Sequence, residues 1–413
     1  MTALWQQVPL APADSIFALT AKYTADTNPK KINLGVGAYR DENGKPWVLP
    51  VVKKASAILA ADESINHEYL PIAGLPAFTN AAQKLVFGTE CKAVKEGRVV
   101  SVQTLSGTGA NHMGALFMAK FYQFKGEREM YISNPTWANH NAIISNVGLT
   151  PVSYPYYNPK TIDLDFDGYV KALENATEGS IILVHACAHN PTGVDPTSEQ
   201  WQSLAELFLR KKHFAFFDSA YQGFATGDLD KDAEAVRLFT EKGVPLLVCQ
   251  SFAKNAGLYN ERVGALHFVG ATKDEVERIK SQLLILQRSE ISNPPAYGAQ
   301  LVTMILTQPE LFADWKKDIT TMSSRIIEMR DILFDLLNNK YKTPAPAERK
   351  DWGHVKSQIG MFSFTGLNPQ QTKRLVEEFS VYLTANGRIS MAGLNKNNVE
   401  TFAKAVDQVV RGN

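Results

Sequence analysis

Lys254 stands alone in the stretch QSFAKNAGLYNERVG (250–264), directly after the apolar run VPLLVC, with Ser251 three residues before it and Arg262 eight after. A lysine that attacks carbonyls must be neutral part of the time. Partial burial or a nearby positive charge achieves this by lowering its pKa from about 10.4. Arg262 supplies such a charge, and its planar fork also suits a phosphate. Ser251 adds a hydroxyl donor. The plainer alternative is a surface lysine in a loop.

Other apolar runs end in residues of the same kind. SGTG (106–109) follows VVSVQTL and opens a helical pattern. Its small residues let a ligand approach the backbone, the hydroxyls of Ser106 and Thr108 can donate, and the free N–H groups of a helix start favour an anion such as phosphate. An ordinary Ser/Gly turn capping a helix is the alternative. Neither SGTG nor GVGAYR meets the dinucleotide pattern G-x-G-x-x-G, and no Walker pattern occurs, so the phosphate would belong to neither a dinucleotide nor ATP. Asp218 ends the run HFAFF and Tyr221 follows. A carboxylate there costs several kcal/mol to bury without a cationic partner, which calls for a positive ligand or side chain; a helix N-cap is the alternative. The stretch HNPTG (189–193) follows SIILVHA. His185 and His189 would lie about 13 Å apart on an extended strand, and with no acidic or cysteine partner at ligand spacing no metal site is expected.

Phosphate donors on two loops, an imine-forming lysine, a buried carboxylate and a tyrosine hydroxyl together meet the needs of pyridoxal phosphate. A carboxylate opposite the pyridine nitrogen keeps it protonated. At about 4 Å and an effective dielectric near 20 the attraction is about 4 kcal/mol, or roughly three pKa units. A protonated ring is the stronger electron sink, and that purpose is assigned to Asp218.

The elements that must position these groups follow from the hydropathy pattern. Strand-like runs at 99–105, 129–133, 180–186, 213–217, 244–250 and 263–269 alternate with amphipathic segments, the rhythm of a mostly parallel sheet covered by helices. Ligands bind such sheets beyond the carboxyl ends of the strands. A helix is expected after Gly109 through ANHMGALFMAKFYQF, and another in EQWQSLAELFLRKK behind a Thr197–Gln200 capping box. One long helical pattern runs from Pro309 to about Tyr341 and would bridge two domains. A short strand in MFSFTG and helices at 371–386, stopped by Gly387, and at about 398–411 complete the chain. The expected division is a large α/β domain of residues 47–322 and a smaller one built from 1–46, with an N-terminal arm, and 323–413.

Composition bounds the partners. The chain has 413 residues, 45% of them apolar, and a formal net charge of +1, so a sizeable core is expected and no basic field to attract nucleic acid or lipid. Small molecules are the expected partners. Three cysteines without C-x-x-C spacing fit a reducing compartment. No secretory, transit or transmembrane pattern is read, so the expected location is the cytoplasm.

The ordered set SGTGA, NPTW, HNPTG, FFDSAYQGF, QSFAKNAGLYNERVGA, SNPP and GRISMAGL resembles the class I pyridoxal-phosphate aminotransferases over nearly the whole chain, and within them the aspartate-using branch. The resemblance implies a fold type I homodimer with shared active sites, and reversible ping-pong transfer of the amino group of L-aspartate to 2-oxoglutarate, giving oxaloacetate and L-glutamate. It implies that Lys254 carries the cofactor, Asp218 meets the pyridine nitrogen with His140 behind it, Asn190 and Tyr221 bond the ring oxygen and Trp137 stacks on the ring. Ser106, Gly107, Thr108, Ser251 and Arg262 would hold the phosphate, with Tyr69 reaching over from the partner subunit. Arg388 would clamp the α-carboxylate with help from Asn190, Trp137 and the backbone of Gly37, and Arg288 would bind the distal carboxylate from the partner subunit. Without the motifs, Arg388 reads as a turn arginine and Arg288 as a helix C-terminal charge. Ile291 departs from the aromatic residue that many relatives carry before SNPP, which bears on the packing beside the distal pocket and on aromatic substrates. SFAK is also formally S-x-x-K, an acyl-enzyme motif with Ser251 as nucleophile, but its companions S-D-N and K-T-G are missing.

Overall fold

A computed structural model describes residues 4–11, 15–35 and 37–412. The remaining residues of the expected smaller domain, 1–3, 12–14, 36 and 413, lie outside the described residues. The centre is a seven-stranded sheet whose strands, in spatial order, are Val99–Leu105, Val263–Val269, Leu246–Ser251, Phe214–Ser219, Ile181–His185, Glu129–Asn134 and Thr150–Pro155. Only Val263–Val269 runs antiparallel to its neighbours. Six strands were expected; the seventh, Thr150–Pro155, is an edge strand with a half-exposed face and two prolines, so its sequence lacks a continuous apolar run.

The inner strands IILVH, FAFFDS and LLVCQS hold continuous apolar stretches because both faces of the sheet are covered. Phe216, Leu247 and Leu266 face a cluster formed with Met113, Phe117 and Leu283 from the helices Ser106–Phe121 and Lys273–Glu290. Their neighbours Phe217, Leu246 and Val248 face Trp201, Phe208 and Phe239 on the other side. Full burial of each such side chain is worth about 1.5–3 kcal/mol. The capping box at Thr197 forms as expected and starts the helix Ser198–Lys211.

Two sequence expectations are corrected, and a third, the long helix, is met. The helix expected after Gly109 begins at Ser106 and ends at Phe121, so SGTG is its first turn. The helix expected over 371–386 is Pro369–Phe379; it stops where Ser380 turns left-handed at φ 54°, and Val381–Tyr382 then pairs in parallel with Ile32–Asn33. The β-branched and aromatic residues after Ser380 favour that strand over continued helix. The long helix runs Pro309–Asp335 and closes in a π-turn at Leu336–Lys340. The N-terminal segment is tied to the C-terminal one by this strand pair, and Phe362–Phe364 pairs antiparallel with Arg388–Ser390.

Candidate active site

The strand register places the chemistry at one edge. His185 lies opposite Asp218, Asp218 opposite Cys249, and Ser251 opposite Gly264, all at the carboxyl ends of the parallel strands. Arg262 sits at the same edge because its strand runs the other way. A cavity of about 230 Å³ opens there. That is smaller than the roughly 300–1,000 Å³ of drug-sized pockets and suits one small ring with a charged tail.

One end of the cavity is an anion cradle. Ser106 starts the helix with φ 58° and lies 3.0 Å from Ser251, oxygen to oxygen, while its backbone N–H donates to the Arg262 carbonyl at 3.1 Å. A Cβ at Gly107 would lie 3.1 Å from that of Ser251, so a side chain there would press on the cradle. Thr108 lines the same wall. Arg262, itself left-handed at φ 53°, is steadied by donating to the Tyr259 carbonyl at 2.9 Å.

The other end carries a supported carboxylate. Asp218 is buried and accepts from His140 Nε2 at 3.0 Å. Burial pushes the carboxyl up, but the hydrogen bond from His140 and the neighbouring Lys254 outweigh it and hold it below its ordinary range. Thr136 Oγ1 in turn touches His140 Nδ1 at 2.8 Å and His185 Nε2 at 3.1 Å. Burial drives His185 down to about 3, so it stays neutral. Trp137 lies edge-on to His140 with centroids 5.2 Å apart.

Lys254 lies between these ends, with its amine 5.2 Å from the centre of the Tyr221 ring. Among the described residues the amine has neither a hydrogen-bond nor an ion-pair partner. Burial lowers its pKa from the ordinary value; Asp218 opposes this and Arg262 adds to it. Burial raises the Tyr221 phenol, so that hydroxyl stays protonated and can donate. Asn190 and the backbone of Gly37 complete the lining. A free amine, an anion cradle and an ionised carboxylate around one small cavity fit pyridoxal phosphate, and the Ser251 hydroxyl is engaged with Ser106 Oγ at 3.0 Å and the Ala253 N–H at 3.2 Å rather than with the Lys254 amine.

Arg388 stands beside the cavity, its guanidinium 4.4 Å over the Phe362 ring and Nη2 donating to the Gly35 carbonyl at 3.0 Å, with Nε buried and without a partner among the described residues. Two expected residues are not brought to this cavity. Tyr69 is 80% exposed, and Arg288 is exposed and donates to Ser292. They share one surface: Ser292 donates to Asn293 Oδ1 at 2.7 Å, and Asn293 donates to the Leu70 carbonyl at 2.7 Å.

The sequence reading missed Tyr259, Cys187 and Asn111, which also line the cavity. Tyr259 was readable as the aromatic residue inside the lysine's own loop; Cys187 and Asn111 gave no signal apart from their neighbours. The spacing of His185 and His189 is corrected: their ring centroids are 4.2 Å apart, because the strand ends at His185 and the chain bends back. They serve hydrogen bonds, His189 to Ser133 and Thr192 at 2.8 Å each. No group of three or more metal-ligating side chains occurs among the described residues. A larger cleft of about 1350 Å³ lies elsewhere against the Pro309–Asp335 helix, lined by Arg237, which pairs with Asp230 at 2.8 Å, and by Lys84, Lys316 and Lys317.

The pattern described as "Aminotransferase class I and II" matches residues 29–406. The cytoplasmic aspartate aminotransferase of Saccharomyces cerevisiae is 53% identical over 99% of this chain and 97% of its own length. The solved structure of aspartate aminotransferase from the cytoplasm of that yeast superposes with a TM-score of 0.94, covering 99% of both chains. An aromatic-amino-acid aminotransferase from Burkholderia pseudomallei, solved covalently bound to pyridoxal phosphate, is 40% identical with a TM-score of 0.94 over 99% of this chain and 100% of its own. With that family pattern over most of its length and relatives of this identity over nearly all of it, this chain belongs to the class I and II aminotransferases.

Proposed function

We propose that this chain transfers the amino group of L-aspartate to 2-oxoglutarate, giving oxaloacetate and L-glutamate, with pyridoxal 5'-phosphate bound at Lys254, as a homodimer in the cytoplasm. One observation carries the reading: the partnerless amine of Lys254 lies between the Ser106–Ser251–Arg262 cradle and the His140-supported carboxylate of Asp218. The reaction and location are supported by relatives named cytoplasmic aspartate aminotransferase at 52–53% identity.

When bound, the cofactor supplies the electron sink that no side chain offers. The chain's own residues do the rest. Ser106, Gly107, Thr108, Ser251 and Arg262 bind the phosphate, with Tyr69 of the second copy. Asp218, kept ionised by His140, presents the charge that keeps a proton on the ring nitrogen. Tyr221 and Asn190 would donate to the ring oxygen, and Trp137 would cover one ring face. Arg388 grips the α-carboxylate with Asn190, Trp137 and Gly37, while Arg288 of the second copy takes the distal carboxylate through a bidentate pair that selects dicarboxylic acids. The Lys254 amine, once the incoming amino group has taken its place, would take the proton from the substrate Cα and return it to the carbon that receives the amino group. Two half-reactions give ping-pong kinetics.

The division into a large body of 47–322 and a smaller one of 1–46 with 323–413 belongs to the same reading. Its support is the pairing of Ile32–Asn33 with Val381–Tyr382 and the bond from Arg388 to Gly35. Closure of the smaller body on substrate would expel water from the cavity. The test is a spectrum: the protein supplied with vitamin B6 aldehyde phosphate absorbs in the visible, and borohydride bleaches the band and labels Lys254. A colourless protein with an unlabelled Lys254 refutes the assignment.

A further inference from the structure

Arg325 lies midway along the Pro309–Asp335 helix, only 10% exposed, and its donors are spent on other segments. Nε donates to Tyr39 Oη at 2.8 Å, Nη1 to the Leu394 carbonyl at 2.7 Å, and Nη2 to the Ala392 carbonyl at 3.0 Å and to that of Arg40. Its charge is balanced by Glu42 at 3.9 Å, and the guanidinium sits 4.8 Å over the Tyr39 ring.

These acceptors come from two segments far apart in sequence. Residues 39–42 follow Gly37, and 392–394 follow Arg388. The same segments meet again where Arg388 donates to Gly35 and where Ser390 N donates to the Leu34 carbonyl at 2.7 Å. Tyr39 also reaches the cofactor side, since its N–H donates to Tyr259 Oη at 2.9 Å and the Tyr259 carbonyl holds Arg262. A continuous set of bonds thus runs from the phosphate cradle through Tyr259, Tyr39 and Arg325 to the segment carrying Arg388.

We propose that Arg325 is the positioning residue of the α-carboxylate pocket: it fixes the Gly37 segment against the Arg388 segment and ties both to the cofactor end. The inference rests on the reading of Arg388 as the α-carboxylate clamp. Lysine cannot replace Arg325, because a point charge with three donors does not span four acceptors arranged around a planar fork. Every amino-acid substrate has an α-carboxylate, so the loss falls equally on all of them, unlike a loss at Arg288.

The test uses the cofactor-loaded protein and three variants, Arg325→Lys, Tyr39→Phe and Arg388→Ala. For Arg325→Lys the expected result is a KM raised about tenfold or more for aspartate and by the same factor for alanine. The Kd of succinate, followed by calorimetry, rises in parallel, while the Kd of the cofactor is unchanged. Tyr39→Phe, which keeps the ring and removes one acceptor, gives the same pattern at about two- to fivefold, and carries the test if Arg325→Lys does not fold. Unchanged KM and succinate binding, a loss confined to aspartate, or a loss that tracks cofactor release would each overturn the proposal. Arg388→Ala separates the two readings. If it weakens succinate and the other variants do not, only the Arg325 role fails; if it leaves succinate binding intact, the clamp reading fails and takes this inference with it.

Discussion

Two regions of this molecule carry functional side chains in opposite conditions. At the sheet edge, Lys254, Asp218 and Tyr221 converge on a cavity within one chain, each backed by buried groups. On the surface that carries Tyr69 and Arg288, the groups are exposed and are organised only among themselves, through Ser292, Asn293 and Leu70. The difference teaches what each kind of group needs. A reactive amine and an ionised carboxylate depend on desolvation and on fixed neighbours, which a single core supplies. A charge that recognises a substrate from a second copy must instead stay solvated until that copy covers it, because a buried unpaired guanidinium is costly.

The comparison can be broken most forcefully at Lys254. Lys254→Ala should lower transamination by about 10⁴-fold or more, as expected for loss of the group that both binds and shuttles the proton, and steady-state rates check it. Asp218→Ala should cost about 10²–10³-fold in kcat by removing the charge preorganised at the ring nitrogen, with the visible band shifted in its pH titration. At the exposed region, Arg288→Ala should reduce kcat/KM for aspartate by about 10²-fold or more through one lost bidentate pair, while alanine is little changed. Mixing Arg288→Ala with Lys254→Ala subunits sharpens the point. Hybrids that restore part of the aspartate activity place the two residues in different copies of one site; no recovery after verified subunit exchange refutes that sharing. Ser292→Ala, which frees Arg288, should cost only about threefold, on the scale of one hydrogen bond.

The smallest effect concerns stability in the cofactor-free protein. Burial lowers the Lys254 pKa, so between its folded value and about 10.4 the unfolded chain binds more protons, and stability rises with pH across that window. Lys254→Met should therefore raise Tm by a few degrees at pH 7, with the gain shrinking toward pH 10. A gain that grows with pH would contradict the assigned direction.

Much of this was legible before any coordinates. Six of the seven sheet strands carry apolar runs that mark them, whereas the edge strand Thr150–Pro155, with two prolines and few buried positions, does not and is missed. The Thr197 capping box marked its helix start to the residue. The helix ending at Phe379 was overrun because its apolar period continues into Val381–Tyr382, and only the pairing with Ile32–Asn33 converts those residues to strand. His185 and His189 were misjudged in distance for a related reason: a bend at a strand end is set by what packs there, not by the run that precedes it.

The sequence by itself determined the kinds of groups at the strand ends and, through its ordered motifs, the family, because residue type and spacing survive without knowledge of distant neighbours. Only the tertiary structure decided which groups stand together: that His140 supports Asp218, that Tyr259 joins the cavity, and that Arg325 binds the segments of Gly37 and Arg388 into one pocket. Those contacts join residues tens to hundreds of positions apart, and the geometry that makes them strong exists only once the sheet and its covering helices have packed.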